Sequence, residues 1–381
     1  MKKLNVLTRM LLLVALLVGS TSVWADDTYV KVTTAAEINT NSTYIIVAEG
    51  ASKALGTFSS GKSIPSVDVI ISSSTITVAS DAESKPQEVV LSDVVVSSKT
   101  YSVIKHANED KYLQGASSAT DLKAADSYNT DASKWTISIA EDEARIFNKK
   151  QKSNAIIYRE STYYYFKNFA SSNVNNTEYF YGVLYKKVVP VTIKAAGYAT
   201  FSSTEKLNFT GVEGLTAYKA TATSENSVTL EDVTGVVPAE TGLLLKGAAN
   251  TYYIPVSTAA ATVVTNNLLQ STAKAAHNIT DGEVDKAFVF GSLNGNVGFY
   301  KAAKGKTIGV GKSYLLLSGT GAKDVEFLSF VFGDEEQGET DGINAVSTKV
   351  ENGVRYNLAG QKVGADYKGI VIVNGKKVII K

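Results

Sequence analysis

Short apolar runs separated by turn residues constrain this chain more than any other feature of its sequence. The runs at residues 44–47, 67–71, 89–96 and 135–139 are alternating or β-branched, and clusters of Gly, Asn, Asp and Ser separate them. No amphipathic helical period appears after the N-terminal segment. Short strands at regular spacing, with turn signals between them, are typical of β-sandwiches and barrels. We therefore predict an all-β protein.

The composition excludes several kinds of functional site. The 381 residues include no Cys and two His, His106 and His277. The lack of Cys excludes disulfides, zinc–thiolate sites, iron–sulfur clusters and Cys nucleophiles. The formal net charge is +1, from 38 basic and 37 acidic residues. This balance argues against a nucleic-acid partner, because phosphate binding needs clustered positive charge. We expect no cofactor.

The first 25 residues have the layout of a secretory signal peptide. Basic residues begin the chain, residues 10–18 (MLLLVALLV) are apolar throughout, and residues 23–25 (VWA) form a cleavage site. The alternative is a transmembrane anchor, which needs about 20 apolar residues, roughly twice the length of this run. We therefore expect cleavage after Ala25. The mature protein should be secreted or lie on the outer cell surface, with no transmembrane segment.

Residues 28–187 contain three rough repeats with similar openings and similar endings. The openings are TYIIVAEGASKALG, TYSVIKHANEDKYLQG and ARIFNKKQKSNAIIY, which start at or next to Tyr44, Tyr101 and Ala144. The endings are KPQEVVLSD, SKWTISIAED and YFYGVLYKK. Three units of four strands make a β-trefoil. Overlooking internal repeats of this kind leads to a wrong prediction of the fold. We predict a β-trefoil-like module at residues 26–187, with a plain β-sandwich as the alternative, and we expect the Trp of SKWTIS in its core.

The sequence pattern changes at residue 188 and again at residue 333. Residues 188–332 hold two hairpin candidates, the second turning at residues 294–295, and the buried runs LLLKG and YLLLSG as central strands. We predict a β-sandwich of about eight strands there. Residues 333–342 (GDEEQGETDG) form an acidic linker whose composition cannot build a core. Residues 343–381 form a small C-terminal β unit that ends in a hairpin with a type I′ turn at residues 374–375.

One short motif matches a nucleotide-binding pattern by its letters alone. Residues 56–63 (GTFSSGKS) satisfy the P-loop pattern, in which a helix N-terminus at the Gly-Lys-Ser holds phosphate. Here Pro65 and the strand-like run VDVII follow instead of a helix. We therefore predict no nucleotide binding at these residues.

Candidate catalytic and metal-binding residues are few. His106 and His277 lie in polar turns and are interpreted as solvated loop residues, and neither a G-x-S-x-G nor an H-E-x-x-H motif is present. Asp281, Glu283 and Asp285 could offer oxygen ligands to calcium, but the remaining ligand spacing is missing, and a solvated turn is favoured. A carboxylate pair for glycoside hydrolysis has no fixed spacing in sequence. We assign no catalytic and no metal-binding residue.

An aromatic cluster is the candidate ligand-binding surface. Its residues lie on two neighbouring stretches of the third repeat: Tyr163, Tyr164, Tyr165, Tyr179, Phe180 and Tyr181. Exposed aromatic rings can stack on sugars and supply rigid contact area. Aromatic residues also favour strands and pack across them, and strand alternation directs about half of the rings to each face. Ordinary packing in a core and on a surface is therefore the alternative.

The C-terminal tail carries a family resemblance. Its YNLAGQKV, followed by KGIVIVNGKKVIIK, resembles the ending shared by many secreted proteins of Bacteroidetes, especially Prevotella- and Bacteroides-like bacteria. That ending is similar to the C-terminal sorting domain of the type IX (Por) secretion system. The middle region, GYATFSS through TGLLLKG, resembles an uncharacterised β-rich module of the same proteins. The resemblance implies export through an outer-membrane secretion machinery as a partner, and it carries no catalytic residue.

These features together predict a non-catalytic protein, secreted or displayed at the cell surface, that binds or adheres, with glycans or a host surface as partners. A secreted glycoside hydrolase with a carboxylate pair and a purely structural surface protein are the alternatives. A paired-acid cleft rimmed by aromatic rings would favour the hydrolase. A shallow aromatic patch without paired acids would favour binding, and the lack of any groove would favour the structural role.

Overall fold

A computed structural model describes most of the chain after residue 25. The described residues are 26–115, 120–160, 164–224, 226–293, 295–317, 325–333, 355–357, 361–364, 367–373 and 376–380. The chain divides into two compact units, Met1–Asp334 and Glu335–Lys381, and each is described by itself. The predicted signal peptide, Tyr163 and the predicted linker after Gly333 lie outside the described residues.

The protein is all-β, as predicted. The described helical elements are single 3-10 turns: Ala35–Glu37, Glu49–Ala51, Asp131–Ser133 and Ser171–Asn173. Strands β1 to β16 are, in chain order, Asp27–Lys31, Thr43–Ala48, Lys53–Leu55, Ile64–Asp68, Ile71–Ser72, Thr75–Val78, Val89–Val96, Lys99–His106, Tyr112–Gly115, Leu122–Ala125, Trp135–Ala140, Glu143–Asn148, Asn154–Arg159, Tyr165–Ala170, Tyr179–Tyr181 and Val183–Ile193. Strands β17 to β30 are Tyr198–Phe201, Leu207–Asn208, Leu215–Ser224, Ser227–Val233, Val236–Val237, Leu243–Gly247, Asn250–Pro255, Leu269–Ser271, His277–Asn278, Ala287–Leu293, Asn296–Lys301, Thr307–Ile308, Ser313–Leu316 and Phe327–Phe332. Strands β31 to β34 of the second unit are Arg355–Asn357, Lys362–Val363, Gly369–Val373 and Lys376–Ile380.

A closed ring of six antiparallel strands organises the first half of the chain. The ring runs β2, β7, β8, β11, β12, β16 and back to β2. Its strands form three consecutive pairs, β2 with β7, β8 with β11 and β12 with β16, and a hairpin is inserted in each pair. The first strands of the pairs contain Tyr44, Tyr101 and Ala144, where the predicted repeats open. The closed ring is a barrel-like arrangement, and the β-trefoil assignment with its threefold symmetry stays a prediction.

The interior of the ring is filled by apolar side chains from all three strand pairs. Trp135 is fully buried, and its indole Nε1 donates a hydrogen bond to the Leu113 carbonyl at 3.1 Å. Tyr44, Ile104 and Tyr158 are fully buried in the same core. The position expected for Trp135 is therefore confirmed. Its polar N–H is satisfied, as a buried indole requires.

A nine-stranded sheet dominates the middle of the chain, in the order β17-β22-β19-β20-β30-β27-β26-β29-β24. Both predicted hairpins are present, as β19–β20 and β26–β27. In β22, Leu243 and Leu245 face one core, while Leu244 faces another that contains Phe288 and Phe299. Burial on both faces explains why this strand appears in the sequence as a continuous apolar run. Packing on both faces gives a sandwich arrangement.

Strand β16 belongs to both regions of the first unit. Its residues 183–188 pair with β2 and β1, and its residues 188–193 pair with β23. The predicted boundary between residues 187 and 188 falls inside this strand. The ring and the middle region therefore share one continuous backbone ladder.

The second unit contains a four-stranded sheet in the order β32-β31-β33-β34. The register of β33 and β34 pairs Val373 with Lys376, which leaves a two-residue connection at residues 374–375. Those two residues lie outside the described part, whereas the two strands of the predicted hairpin are present. Within the described residues, no helix is long and apolar enough to span a membrane.

Candidate functional site

A cavity of about 260 Å³ opens beside the ring, and we call it the ring cavity. Three ring strands meet there, because Val183 at the start of β16 pairs with both Val47 of β2 and Arg145 of β12. The 3-10 turn after β2, the start of β12 and β15 supply its walls. The cavity is therefore built by segments of the first and third strand pairs, which are distant in sequence.

Glu49 occupies the turn after β2 and is held from two sides. Lys31 Nζ lies 2.7 Å from Glu49 Oε2 and 3.9 Å from Glu143 Oε1. The buried Tyr185 hydroxyl donates to Glu49 Oε1. Burial and the neighbouring Glu49 carboxylate hold the pKa of Tyr185 well above its ordinary value, so the phenol stays a neutral donor. The Glu49 carboxylate is thus fixed before any ligand arrives.

Arg145 forms the opposite polar wall. Its Nε lies 2.8 Å from Glu143 Oε2, and its Nη2 donates to Glu141. The guanidinium carbon stands 4.4 Å from the centroid of the Tyr181 ring, a cation–π contact. Burial alone would lower the pKa of Arg145, but its hydrogen bonds to Glu141 and Glu143 raise the pKa above the ordinary value. The arginine is therefore charged and held in one place.

The aromatic side chain of Phe180, which lines the cavity, explains why residue 50 is a glycine. Phe180 is 6% exposed, packs near Tyr158 in the ring core, and also lines the cavity. A Cβ atom placed on Gly50 would lie 2.7 Å from both Cδ1 and Cε1 of Phe180. Real Cβ atoms do not approach that closely, so any side chain at this position would displace the ring.

The six predicted ligand-binding residues do not form one surface. Strand β15 places Tyr179 and Tyr181 on one face and Phe180 on the other, as strand alternation predicts. Phe180 and Tyr181 line the ring cavity. Tyr179 instead packs edge-to-face on Phe169 at 5.4 Å between ring centroids.

The other three predicted residues lie elsewhere. Tyr165 is half-buried on β14. Tyr164 is 50% exposed and has a positive φ of 39°, an uncommon conformation for a residue other than glycine. Tyr163 lies outside the described residues. The structure therefore brings two members of the predicted cluster, Phe180 and Tyr181, to the cavity.

Each described tyrosine of the cluster has a cation over its ring. The pairs and their distances to the ring centroid are Lys53–Tyr164 at 5.5 Å, Lys167–Tyr165 at 5.2 Å, Arg159–Tyr179 at 5.3 Å and Arg145–Tyr181 at 4.4 Å. Contacts of this kind contribute about 0.5–1 kcal/mol at exposed sites. One face of each ring is therefore already covered, and a sugar would meet the remaining face or edge.

Sequence reasoning missed Glu49, Gly50, Glu143 and Arg145. Glu143 and Arg145 are two residues apart on β12, and this spacing places both on one face of a strand. That local signal was present in the sequence. The approach of Glu49 to the pair had no such signal, because it depends on closure of the ring.

The P-loop-like segment is a loop that leads into a strand. Strand β4 begins at Ile64, directly after residues 56–63, and no helix occurs in this described segment. Backbone hydrogen bonds tie the loop to β10, with Ala124 N donating to the Ser59 carbonyl at 2.7 Å and Leu122 N donating to the Lys62 carbonyl at 3.2 Å. The helix N-terminus that phosphate requires is therefore not formed here.

The interpretation of His106 as a solvated loop residue is wrong. Its side chain is buried at the end of β8, packs edge-to-face on Phe58, and accepts a hydrogen bond from Asn108 N at 3.0 Å. His277 is half-buried and stacks on Tyr314 with 4.9 Å between ring centroids. Both histidines are held by packing partners that the sequence alone did not show.

Two acids of the triplet near His277 pair with lysines, and the third contacts the histidine ring. Asp281 lies 2.8 Å from Lys304, Asp285 lies 3.5 Å from Lys301, and Glu283 lies 3.1 Å from His277 Nε2. The Thr280 backbone N–H, a hydrogen-bond donor to Glu283, lowers the pKa of that carboxyl group. Across the described part of the chain, no group of three or more His, Cys, Asp or Glu residues is placed to hold a metal ion.

The chemistry of the ring cavity is that of a polar binding site with an aromatic edge. Its carboxylates can accept hydrogen bonds from ligand hydroxyl or amino groups, and its guanidinium can donate them. The chain matches no protein-family model, and no curated protein sequence matches it significantly.

Proposed function

We propose that this is a non-catalytic binding protein, secreted or displayed at the cell surface, that holds one unit of a glycan in the ring cavity. The carrying observation is that one opening combines the fixed carboxylates Glu49 and Glu143, the guanidinium of Arg145 and the aromatic wall of Phe180 and Tyr181. Small-molecule sites typically pair apolar or aromatic surface with a few oriented polar groups. Sugars match this combination, since their hydroxyl groups are polar and their C–H faces pack on rings.

Pre-organisation supports the proposal. Lys31 and Tyr185 hold Glu49, and Glu143 holds Arg145, so these side chains keep their positions without a ligand. A ligand that enters such a site orders few new rotamers, which favours affinity. The volume of about 260 Å³ lies just below the range of roughly 300–1,000 Å³ for drug-sized ligands. It suits a single sugar ring better than an extended oligosaccharide.

The hydrolase alternative has one observation in its favour. Glu49 and Glu143 contact the same Lys31 ammonium, so two carboxylates stand close together at an aromatic-edged cavity. Hydrolysis, however, requires one carboxyl group of the pair to keep its proton and act as the general acid. Both carboxylates are instead occupied as ion-pair partners, Glu49 with Lys31 and Glu143 with Arg145. The binding role is therefore the one we favour.

A glycan array with the mature chain, residues 26–381, tests the proposal. The variants Tyr181→Ala and Tyr179→Ala form a matched pair, because both rings lie half-buried on β15 beneath an arginine and only Tyr181 lines the cavity. We expect Tyr181→Ala to weaken binding by at least about 10-fold and Tyr179→Ala to leave it within about 2-fold, where tenfold corresponds to about 1.4 kcal/mol. Equal effects of the two variants, after melting curves confirm folding, would remove the cavity from the proposal.

A hydrolysis assay on the same glycans separates the two functions. We expect no release of reducing ends from any glycan that the array identifies. Release that Glu143→Gln abolishes would establish the hydrolase instead, and the binding seen on the array would then be substrate binding.

The second part of the proposal concerns export. The resemblance of the tail to type IX-like endings provides the candidate reader, an outer-membrane secretion machinery. The second unit has a sheet of its own in which β34 is an edge strand. An edge strand presents unpaired backbone groups, which another protein can recognise by strand addition. Such a unit suits a sorting signal that is read separately from the rest of the chain.

Deletion of residues 343–381 in a native Bacteroidetes host, followed by fractionation, tests the export role. We expect the truncated protein to accumulate in the periplasm, while the full chain reaches the surface or the medium. Unchanged export together with a lowered melting temperature would instead make the tail part of the fold, docked on residues 188–332.

A further inference from the structure

We infer that the ring cavity selects its ligand by charge, taking a sugar unit that carries an amino group in preference to a neutral unit and rejecting an acidic one. This inference rests on the proposed glycan-binding function and names the class of sugar. Three observations carry it: the charge balance of the cavity, the engagement of its cations, and the exposure of one of its carboxylates.

The charge balance at the cavity is negative. The carboxylates are Glu49, Glu141 and Glu143, and the cations in contact with them are Lys31 and Arg145. Three negative and two positive groups leave a formal net charge of −1. A metal ion does not fit this excess, because the described residues contain no group of three acidic or histidine side chains placed for coordination. A ligand ammonium, which needs single hydrogen-bond acceptors rather than a coordination shell, matches it.

The two cations are already engaged. Lys31 contacts two carboxylates, and Arg145 contacts two carboxylates and the face of Tyr181. An acidic sugar would add its negative charge to a site in which three carboxylates already outnumber these two cations. Like charges brought together in a partly enclosed site strongly disfavour a wrong partner.

Glu141 differs from the other two carboxylates of the cavity. It lies in the turn between β11 and β12, and its side chain is 82% exposed. Its Oε2 accepts from Arg145, and the rest of the carboxylate faces solvent at the cavity. An amino group on a bound sugar could therefore donate to Glu141 without displacing Lys31 or Arg145. Charge-assisted hydrogen bonds of this kind are roughly twice as strong as neutral ones.

Calorimetric titration of residues 26–381 with three trisaccharides tests the inference. The probes are the trimers of glucosamine, N-acetylglucosamine and galacturonic acid, measured in a weakly acidic, low-salt buffer in which the amine is charged. We expect the glucosamine trimer to bind about 10-fold more tightly than the neutral trimer, and the acidic trimer to show no binding. At about 1 M salt, where the screening length falls to roughly 3 Å, the preference should shrink severalfold.

A matched pair of variants assigns the preference to the cavity. Glu141→Gln should reduce the ratio of amino-trimer to neutral-trimer affinity by about 3- to 10-fold, because it removes the negative charge and keeps a hydrogen-bonding side chain. Glu83→Gln, an exposed acid in the loop before β7, should change neither affinity. Both positions are exposed, so both variants should fold.

The failures of the two proposals are distinguishable. Equal affinity for the neutral and amino trimers, with both lost in Tyr181→Ala, would overturn the charge selection and leave glycan binding standing. Binding of a lysine-rich peptide as tightly as the glucosamine trimer would also overturn it, because charge and not sugar would then be recognised. If no trimer binds, the named ligand class is wrong. If no glycan of any kind binds on the array, the proposed function fails with it.

Discussion

Two clusters in the first unit combine carboxylates with cations but differ in their surroundings. At the ring cavity, Lys31 and Arg145 share three carboxylates beside an open volume. The second cluster, which we call the junction cluster, consists of Lys187, Asp27, Glu88 and Glu205. Lys187 Nζ lies 2.9 Å from Asp27, 2.9 Å from Glu88 and 3.2 Å from Glu205.

The protein covers most of the central cation of the junction cluster. The Lys187 side chain is only 12% exposed, and the Tyr29 hydroxyl donates to Glu88 at 2.7 Å. Glu205 comes from the loop after β17, whereas Asp27 and Glu88 belong to the ring region, so one ammonium group links both regions. Burial alone would lower the pKa of Lys187, but the surrounding carboxylates raise it well above its ordinary value.

Each cluster has three carboxylates, and the two clusters differ in how those carboxylates are arranged around their cations. In the junction cluster, three carboxylates from distant segments converge on one ammonium group. At the ring cavity, the Glu141 side chain is 82% exposed, and Gly50 carries no side chain that would displace Phe180.

Removing the central cation of the junction cluster should have the largest effect on stability. Lys187→Met leaves three nearby carboxylates without their shared partner, and breaking a buried pair in this way costs about 3–5 kcal/mol. Urea denaturation measures the loss. Lys31→Met is the matched control at the ring cavity. In that variant Glu49 still accepts a hydrogen bond from Tyr185, and Glu143 still pairs with Arg145. Equal losses in the two variants would show that the clusters do not differ as described.

Filling the space at Gly50 should have the next largest effect. Gly50→Ala forces the Phe180 ring to move, and over-packing of this kind costs about 1–3 kcal/mol. The displaced wall should also abolish ligand binding in the cavity. Gly309→Ala, at a position with nothing within 4 Å of the added Cβ and no positive φ, is the control and should be neutral. Unchanged binding in Gly50→Ala would place the ligand elsewhere.

Alkaline pH should weaken the fold through tyrosines that stay neutral only in the folded state. Burial raises the pKa of Tyr44 and Tyr158 to about 12. Unfolded tyrosines ionise near pH 10, so the unfolded state binds fewer protons above that pH, and stability falls as the pH rises from about 10 to about 12. For the fully buried Tyr44 the loss is on the order of 2 kcal/mol.

One tyrosine in each carboxylate cluster contributes to this loss of stability at alkaline pH. Tyr29 at the junction and Tyr185 at the cavity donate to Glu88 and Glu49, and burial with these carboxylates holds both pKa values far above the ordinary range. Denaturation curves of Tyr29→Phe and Tyr185→Phe between pH 9 and 11 should decline less steeply than those of the natural chain. Identical slopes would mean that neither phenol is held by its carboxylate.

The smallest effect should come from the Arg159–Glu178 pair. Arg159 lies over a tyrosine ring, as Arg145 does, but this pair faces solvent. Arg159 lies over Tyr179 and within 3.0 Å of Glu178, with both charged side chains more than a third exposed. Glu178→Gln should leave the unfolding free energy nearly unchanged, because solvent screens exposed pairs. A larger loss would show that exposure does not separate this pair from the two clusters.

Local sequence patterns determined the β class, the hairpins and the core position of Trp135. Hairpins such as β19–β20 and β26–β27 depend on short-range turn signals and alternation, which a single stretch of sequence contains. The repeat openings fall on β2, β8 and β12 for the same reason. The alternation of Tyr179, Phe180 and Tyr181 on β15 was also predictable, because side chains of a strand point to opposite faces in turn.

Only the tertiary structure decided which of these residues share a site. Glu49 and Arg145 meet because β2, β12 and β16 close a ring, and Lys187 meets Glu205 because β16 continues from the ring into the middle region. His106 is buried because Phe58, from a different hairpin, packs against it. Turn and strand signals act over a few residues, whereas charge pairing and cavity formation depend on segments that approach only after the sheet has closed. The sequence therefore determined the strands of this protein, and the closure of its sheet decided which residues line its cavity.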